Sequence, residues 1–315
     1  MTMPLTRRSV VGTAAGLAAI GSMSSIDQLA PAFAAPATKD HKASVWPGAS
    51  VMKGGTRGYV TTPMGQVHFR RMGGGTPILL LHQTPWFSVE YAKVIPLLAA
   101  QGLSALAPDR PGYGLSDVPE FVPTIEQYAD DLIPVLDTLK IDKTHVVGHH
   151  TGAAVAAAFV HRHPDRVLKL VFDGVPLYNA EERKQRLARP HWDRWLEADG
   201  NHLAARFQMR AARKGEAVTS SLEGVQWSVM SFFLAGETEW YGHQAAFSYD
   251  MEPALRAIHV PTLIMSHTDD VLHDQTKRAA TIVAGSQFKE FPGGSSQTLF
   301  DEPGPWADAV AAFVR

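Results

Sequence analysis

The sequence predicts an α/β chain: a mostly parallel sheet flanked by helices, with a block of further helices inserted late in the order. Three observations predict it. Short apolar, β-branched runs alternate with helix-length stretches, as expected of strands buried on both faces and joined by crossover helices. The segment Val146-Val147-Gly148-His149-His150-Thr151-Gly152-Ala153 passes from an apolar run through a glycine-flanked turn into an alanine-rich stretch, which is a strand running directly into a helix. Between Tyr178 and Ala257, charged residues mix with Trp192, Trp195, Trp227, Phe232, Phe233, Trp240 and Phe247, the composition of a separate helical layer. With 315 residues and 45% hydrophobic content, the chain is long enough to bury one large core with an inserted subdomain.

In chain order, residues 1–34 have the features of an export signal. Arg7 and Arg8 form a twin-arginine pair, an apolar run extends from Val10 to Met23, and Ala32-Phe33-Ala34 suits a small-x-small cleavage site. The apolar run is shorter than the ~20 residues a membrane span needs. A twin-arginine signal peptide is therefore expected, with a periplasmic or secreted product and no stable membrane anchoring after cleavage. The chain has no cysteine, which suits a protein that folds before transport and forms no disulfide afterwards. Residues 35–56 follow as an N-terminal extension.

Arg57 to Thr62 and Gln66 to Met72 form a predicted hairpin around Met64-Gly65. Pro77 to His82, Leu103 to Pro108 and His145 to Val147 are continuous apolar runs expected to be central parallel strands. Tyr128, Leu132, Val135 and Leu139 recur at helical spacing and predict a helix over Glu126 to Leu139. Val167 to Phe172, Thr262 to Ser266 and Gln287 to Phe291 supply later strands, and Pro305 to Val314 a closing helix. The core is thus expected over 57–177 and 258–315, and the helical cap over 178–257. Most of the cap's aromatics are expected to form its own small core.

The net charge of −2 and the lack of a basic block argue against a nucleic-acid partner. No G-x-G-x-x-G follows the first strand and no P-loop is present, so no cofactor is implied. A small molecule is the expected partner.

The turn at Gly148-His149-His150-Thr151-Gly152 has the form of a nucleophile elbow, G-x-Nuc-x-G, with a histidine at its tip. Three further segments accompany it. They are Leu79-Leu80-Leu81-His82-Gln83-Thr84-Pro85, Pro108-Asp109-Arg110-Pro111-Gly112-Tyr113-Gly114-Leu115-Ser116-Asp117, and Pro261-Thr262-Leu263-Ile264-Met265-Ser266-His267-Thr268-Asp269-Asp270. Together they resemble the α/β-hydrolase superfamily from Gly58 to Arg315. The resemblance implies an oxyanion hole made by the backbone N–H groups of Thr84 and Thr151, and a catalytic acid at Asp270. Asp173, ending an earlier strand, is the alternative acid. The family's histidine segment resembles P-G-x-G-H-x-x-x-x-E-x-P. Here Pro292-Gly293-Gly294-Ser295-Ser296-Gln297-Thr298-Leu299-Phe300-Asp301-Glu302-Pro303 stands in its place, which puts Ser296 on the histidine position. Serine and histidine have exchanged places.

Three chemistries stay open on these residues. His150 can serve as a general base, or less simply as a nucleophile, beside Ser296 and Asp270. That arrangement suits ester, lactone, amide or C–C bond hydrolysis, or a lyase or isomerase step. Alternatively, His82, His149, His150, His267, Asp269, Asp270 and His273 fall near strand ends and offer metal-ligand chemistry, although no H-x-x-x-H or H-x-H spacing supports it. In a third alternative, the chain binds a small molecule on a hydrolase scaffold without turning it over. His149 is expected to point away from the pocket, and Trp86 to line it or pack beneath the cap.

Overall fold

The computed structural model describes residues 54–212 and 221–315; the twin-arginine segment and residues 35–53 of the extension lie outside them. β1 (Gly55–Thr62) and β2 (Gly65–Met72) form the expected hairpin. The first strand starts two residues earlier than the sequence suggests, inside the segment assigned to the extension. Antiparallel pairing runs from Gly55↔Met72 to Thr62↔Gly65, so the whole of β2 has a partner.

β3 (Thr76–Leu81), β4 (Leu103–Pro108), β5 (Thr144–His149), β6 (Val167–Asp173), β7 (Thr262–His267) and β8 (Gln287–Phe291) complete an eight-stranded sheet. Its order is β1-β2-β4-β3-β5-β6-β7-β8. β2 meets β4 antiparallel, and every pairing from β4 onward is parallel. Successive strand residues face opposite sides. Leu79, Val146, Phe172 and Ile264 accordingly join one buried cluster, whereas Ile78, Leu80, Val147, Val171 and Met265 join another on the opposite face.

α1 (Val94–Ala100) and the closing α12 (Pro303–Val314) contribute Val94, Ile95, Leu98, Trp306 and Val310 to the second cluster. The first is covered by α2 (Ile125–Asp130), α3 (Leu132–Thr138) and α4 (Thr151–Arg162). The single helix expected over Glu126 to Leu139 is divided at Asp131. Pro134 lies one turn into the second piece and has no N–H to offer the Asp130 carbonyl, so the ladder loses a rung there. Residues Thr151 to Val160 of α4 are all buried, and their mostly small side chains let the helix lie close against the sheet.

Between β6 and β7 the chain makes α5 (Ala180–Leu187), α6 (Asn201–Ala211), α7 (Leu222–Ala235), α8 (Tyr241–Ser248) and α9 (Glu252–Arg256). Asn179 and Glu182 close a capping box at the start of α5, and the Ser221 hydroxyl accepts from Gly224 N–H to start α7. Among the groups that tie the insertion to the core is one phenol. Tyr113 Oη donates to the Glu239 carbonyl at 2.8 Å and accepts from Gly242 N–H at 2.7 Å. After β7 come α10 (His273–Ile282), β8 and α11 (Thr298–Asp301). Among the described residues, no helix is long and apolar enough to cross a membrane.

Candidate active site

The turn between β5 and α4 holds His150 at φ 49° and ψ −115°. A positive φ is costly for a residue with a Cβ and persists only where its surroundings enforce it. Here they do. A methyl group at Gly148 would overlap the Gly152 carbonyl, and one at Gly152 would overlap the Leu81 carbonyl. His150 N–H donates to the Asp173 carbonyl at 2.9 Å, which fixes the tip against β6. Gly174, just beyond β6, leaves the imidazole its space, because a methyl there would overlap His150 Cδ2 and Nε2.

His150 Nε2 donates to Asp270 Oδ2 at 2.9 Å. Asp270 lies in the turn after β7, and its Oδ1 accepts Leu272 N–H at 2.7 Å. Burial alone would raise the Asp270 carboxyl. The facing His150 ring, the Leu272 N–H and the more distant His149 outweigh burial and hold the carboxyl at about 2. A carboxylate at this ring nitrogen fixes the tautomer, leaving Nδ1 as the basic nitrogen.

Ser296 is buried in the loop after β8, and its carbonyl accepts from Gln83 Nε2 at 2.9 Å. His150, Ser296, Thr84, Thr151 and Trp86 line one cavity of about 500 Å³, roofed by the helices inserted between β6 and β7. Arg110 Nη2 donates to Thr84 Oγ1 at 2.6 Å, and Arg110 N–H donates to His82 Nε2 at 2.9 Å. The loop after β4 therefore steadies the loop after β3. Trp86 both faces the cavity and packs on Phe300, with ring centroids 5.3 Å apart. Among the insertion's aromatics, Phe232 packs on Trp195 and Phe233 within the insertion, Trp227 is instead buried against Phe87 of the sheet domain, and Trp192, Trp240 and Phe247 reach the cavity.

The other candidates lie elsewhere. Asp173, the alternative acid, accepts Trp306 Nε1–H at 2.7 Å and sits 3.9 Å from His149 Nε2. His82 uses both ring nitrogens on backbone groups, and burial, aided by the Arg110 charge, pushes it down to about 4. His267 stacks on Phe291, while His273 faces Ser266 and Glu290. Asp269 Oδ1 accepts a long bond from its neighbour Thr268. Among the described residues, no three His, Asp or Glu side chains gather in a metal-binding arrangement.

His149 points away from the cavity and onto Glu90, with Nδ1 to Oε1 at 3.0 Å. Glu90 is 1% exposed, and it also accepts from Gln83 N–H and Gln83 Nε2 at 3.1 and 2.7 Å. Burial opposes charge on both partners, but each ion holds the other. His149 is pushed up to about 9 despite its burial, and Glu90 stays below its ordinary range. The sequence reading did not single out Glu90 or Gly174. The only local signal for Glu90 is a lone carboxylate in the otherwise uncharged segment Trp86 to Ala92.

Residues 76–272 match the family model of the alpha/beta hydrolase fold. The chain belongs to the α/β-hydrolase family. It is 21% identical over 300 residues to the proline iminopeptidase of Heyndrickxia coagulans, covering 82% of this chain and 99% of that protein. It is 28% identical over 252 residues to the non-heme haloperoxidase of Rhodococcus erythropolis, covering 75% and 91%. Among solved structures, the enol-lactonase from Burkholderia xenovorans superposes with a TM-score of 0.66 at 22% identity, covering 82% of this chain and 99% of that one. At that identity the superposition speaks for the α/β-hydrolase fold alone.

Proposed function

We propose that this α/β-hydrolase cleaves a small carbonyl compound, with His150 as the general base, Asp270 orienting it and Ser296 beside them. The observation that carries this is the 2.9 Å bond between His150 Nε2 and Asp270 Oδ2 at the floor of a cavity that Ser296 also lines. An imidazole held by a carboxylate is oriented for proton transfer. In the proposed step, Nδ1 takes a proton from water or from the Ser296 hydroxyl as that oxygen adds to the carbonyl carbon. The carbonyl oxygen becomes an anion facing the Thr84 and Thr151 N–H groups. Collapse expels the leaving group, which takes the proton back from His150. If Ser296 is the attacking oxygen, water repeats the sequence on the acyl-serine. The inserted helices act as a cap that keeps bulk water from the site.

The test is turnover on a panel of esters, lactones and β-diketones. His150→Ala is expected to lower the rate by ~10² to 10⁴ with the circular dichroism spectrum unchanged. A fluorophosphonate adduct on Ser296, located by mass spectrometry, would make the serine the nucleophile, and no adduct would assign attack to water. Full activity in His150→Ala would refute the base. A chain that binds panel members and turns over none would be a binder on a hydrolase scaffold.

A further inference from the structure

The inserted helices turn a strongly cationic face to the cavity. Arg186, Arg189, Arg206 and Arg210 all line it, and Glu239 is the single carboxyl among the described lining residues. Arg206 and Arg210 are four residues apart on α6 and so share one side of that helix. Arg186 lies in the last turn of α5, and Arg189 follows it at the exposed rim.

Three of these groups are held in place from behind. The Arg206 guanidinium lies 3.6 Å from the centre of the Phe232 ring, and the Arg186 guanidinium lies 3.9 Å from that of Tyr178. Arg210 Nε donates to Ser228 Oγ at 2.9 Å. A guanidinium stacked by its face keeps its N–H groups in the ring-parallel plane, where they match the two oxygens of a carboxylate. Arg186 Nε is buried and finds no hydrogen-bond partner among the described residues, an arrangement that is costly unless something arrives to accept from it. Burial pushes Glu239 up to about 7 against the opposing charge of Arg206.

We infer that the substrate carries a carboxylate, received by the arginines of α5 and α6 while its carbonyl lies over His150. This rests on the proposed hydrolytic site, and it adds a substrate class. A cavity of about 500 Å³ is within the ordinary range for small-molecule sites. It has room for an acid head, a short apolar or aromatic body and a scissile carbonyl.

Calorimetry on the full chain with 3-phenylpropanoate and its isosteric amide, 3-phenylpropanamide, tests this without requiring turnover. The carboxylate is expected to bind about tenfold more tightly or better at low salt, with the advantage shrinking as salt is added. The double variant Arg206→Gln, Arg210→Gln is expected to lose most of that advantage. If it does not fold, Arg189→Gln at the exposed rim is expected to reduce the advantage measurably. Equal binding of acid and amide by the wild-type chain would overturn the inference. A chain inert on every ester that still prefers the acid would defeat the hydrolytic proposal alone. One that hydrolyses neutral esters and shows no preference for the acid would defeat this inference alone.

Discussion

With histidine at the tip of the elbow, the proposed base presents a different ring nitrogen from that of the usual relay. In the Ser-His-Asp relay, the acid holds Nδ1 and the base acts through Nε2. Here Asp270 holds Nε2, so in the proposed mechanism the ring is used the other way round. The bulkier side chain also needs room at a backbone position already at positive φ, and Gly174 provides it. Gly174→Ala should therefore damage the site although residue 174 carries no reactive group. Its φ of +68° disfavours any Cβ by roughly 1–2 kcal/mol, and the added methyl would drive the His150 ring off Asp270. A lowered melting temperature together with a rate as poor as that of His150→Ala is expected; wild-type activity in this variant would refute the role assigned to Gly174. His150 was visible in the sequence because Gly148 and Gly152 flank it within a few residues. Gly174 was not, since the space it leaves belongs to a side chain on a different strand end.

At the scale of elements, Glu90 connects three loops that never touch in sequence. It binds His149 from the β5 turn and Gln83 from the loop after β3, and Gln83 in turn holds the Ser296 carbonyl after β8. Because His149 is raised from 6.5 to about 9, its share of the stability is complete below pH 6.5 and fades as pH rises through about 9. Glu90 is shifted the other way, so its share is present above its ordinary value and is lost in acid. Thermal melts of wild type and Glu90→Gln between pH 6 and 10 should therefore converge on the alkaline side. The variant should melt lower near pH 7 and lack the wild type's extra fall towards pH 9. Parallel curves across that interval would show that His149 does not ionise with Glu90. The strands that carry these loops were legible from their apolar runs, and β4 and β8 keep the limits the sequence gives them. The Glu90 contact was not, because 59 residues separate the partners. The break at Asp131 is a local matter: Pro134 stood in plain view within the periodic pattern.

For the whole molecule, the order of motifs from His82 to Asp270 was enough to anticipate the family, because each motif sits at the end of a strand of one sheet. The insertion between β6 and β7 was visible as a change of composition, but the cationic lining was not. Arg186, Arg189, Arg206 and Arg210 look like ordinary solvated charges until α5 and α6 are folded over the cavity. Export remains a proposal resting on the N-terminal sequence. Fused to a folded reporter, residues 1–40 should direct it out of the cytoplasm. Replacement by Arg7→Lys and Arg8→Lys should stop that transport, as fractionation would show. Normal export of the double-lysine fusion would refute the twin-arginine route.

The Tyr113 phenol has a consequence for traffic into the site. Its oxygen is bonded both to the Glu239 carbonyl and to Gly242 N–H, so it works as a rivet between the roof and the loop after β4. Gly242 also lies so close to Thr84 Oγ1 that even a methyl group would not fit between them. The roof cannot swing up at α8 while the rivet holds. Arg189, Leu187 and Met209, all exposed and all bordering the cavity, lie on the opposite bank, on or just after α5 and α6. If a carboxylate substrate enters across that exposed rim, Arg189 is the first counter-charge it meets.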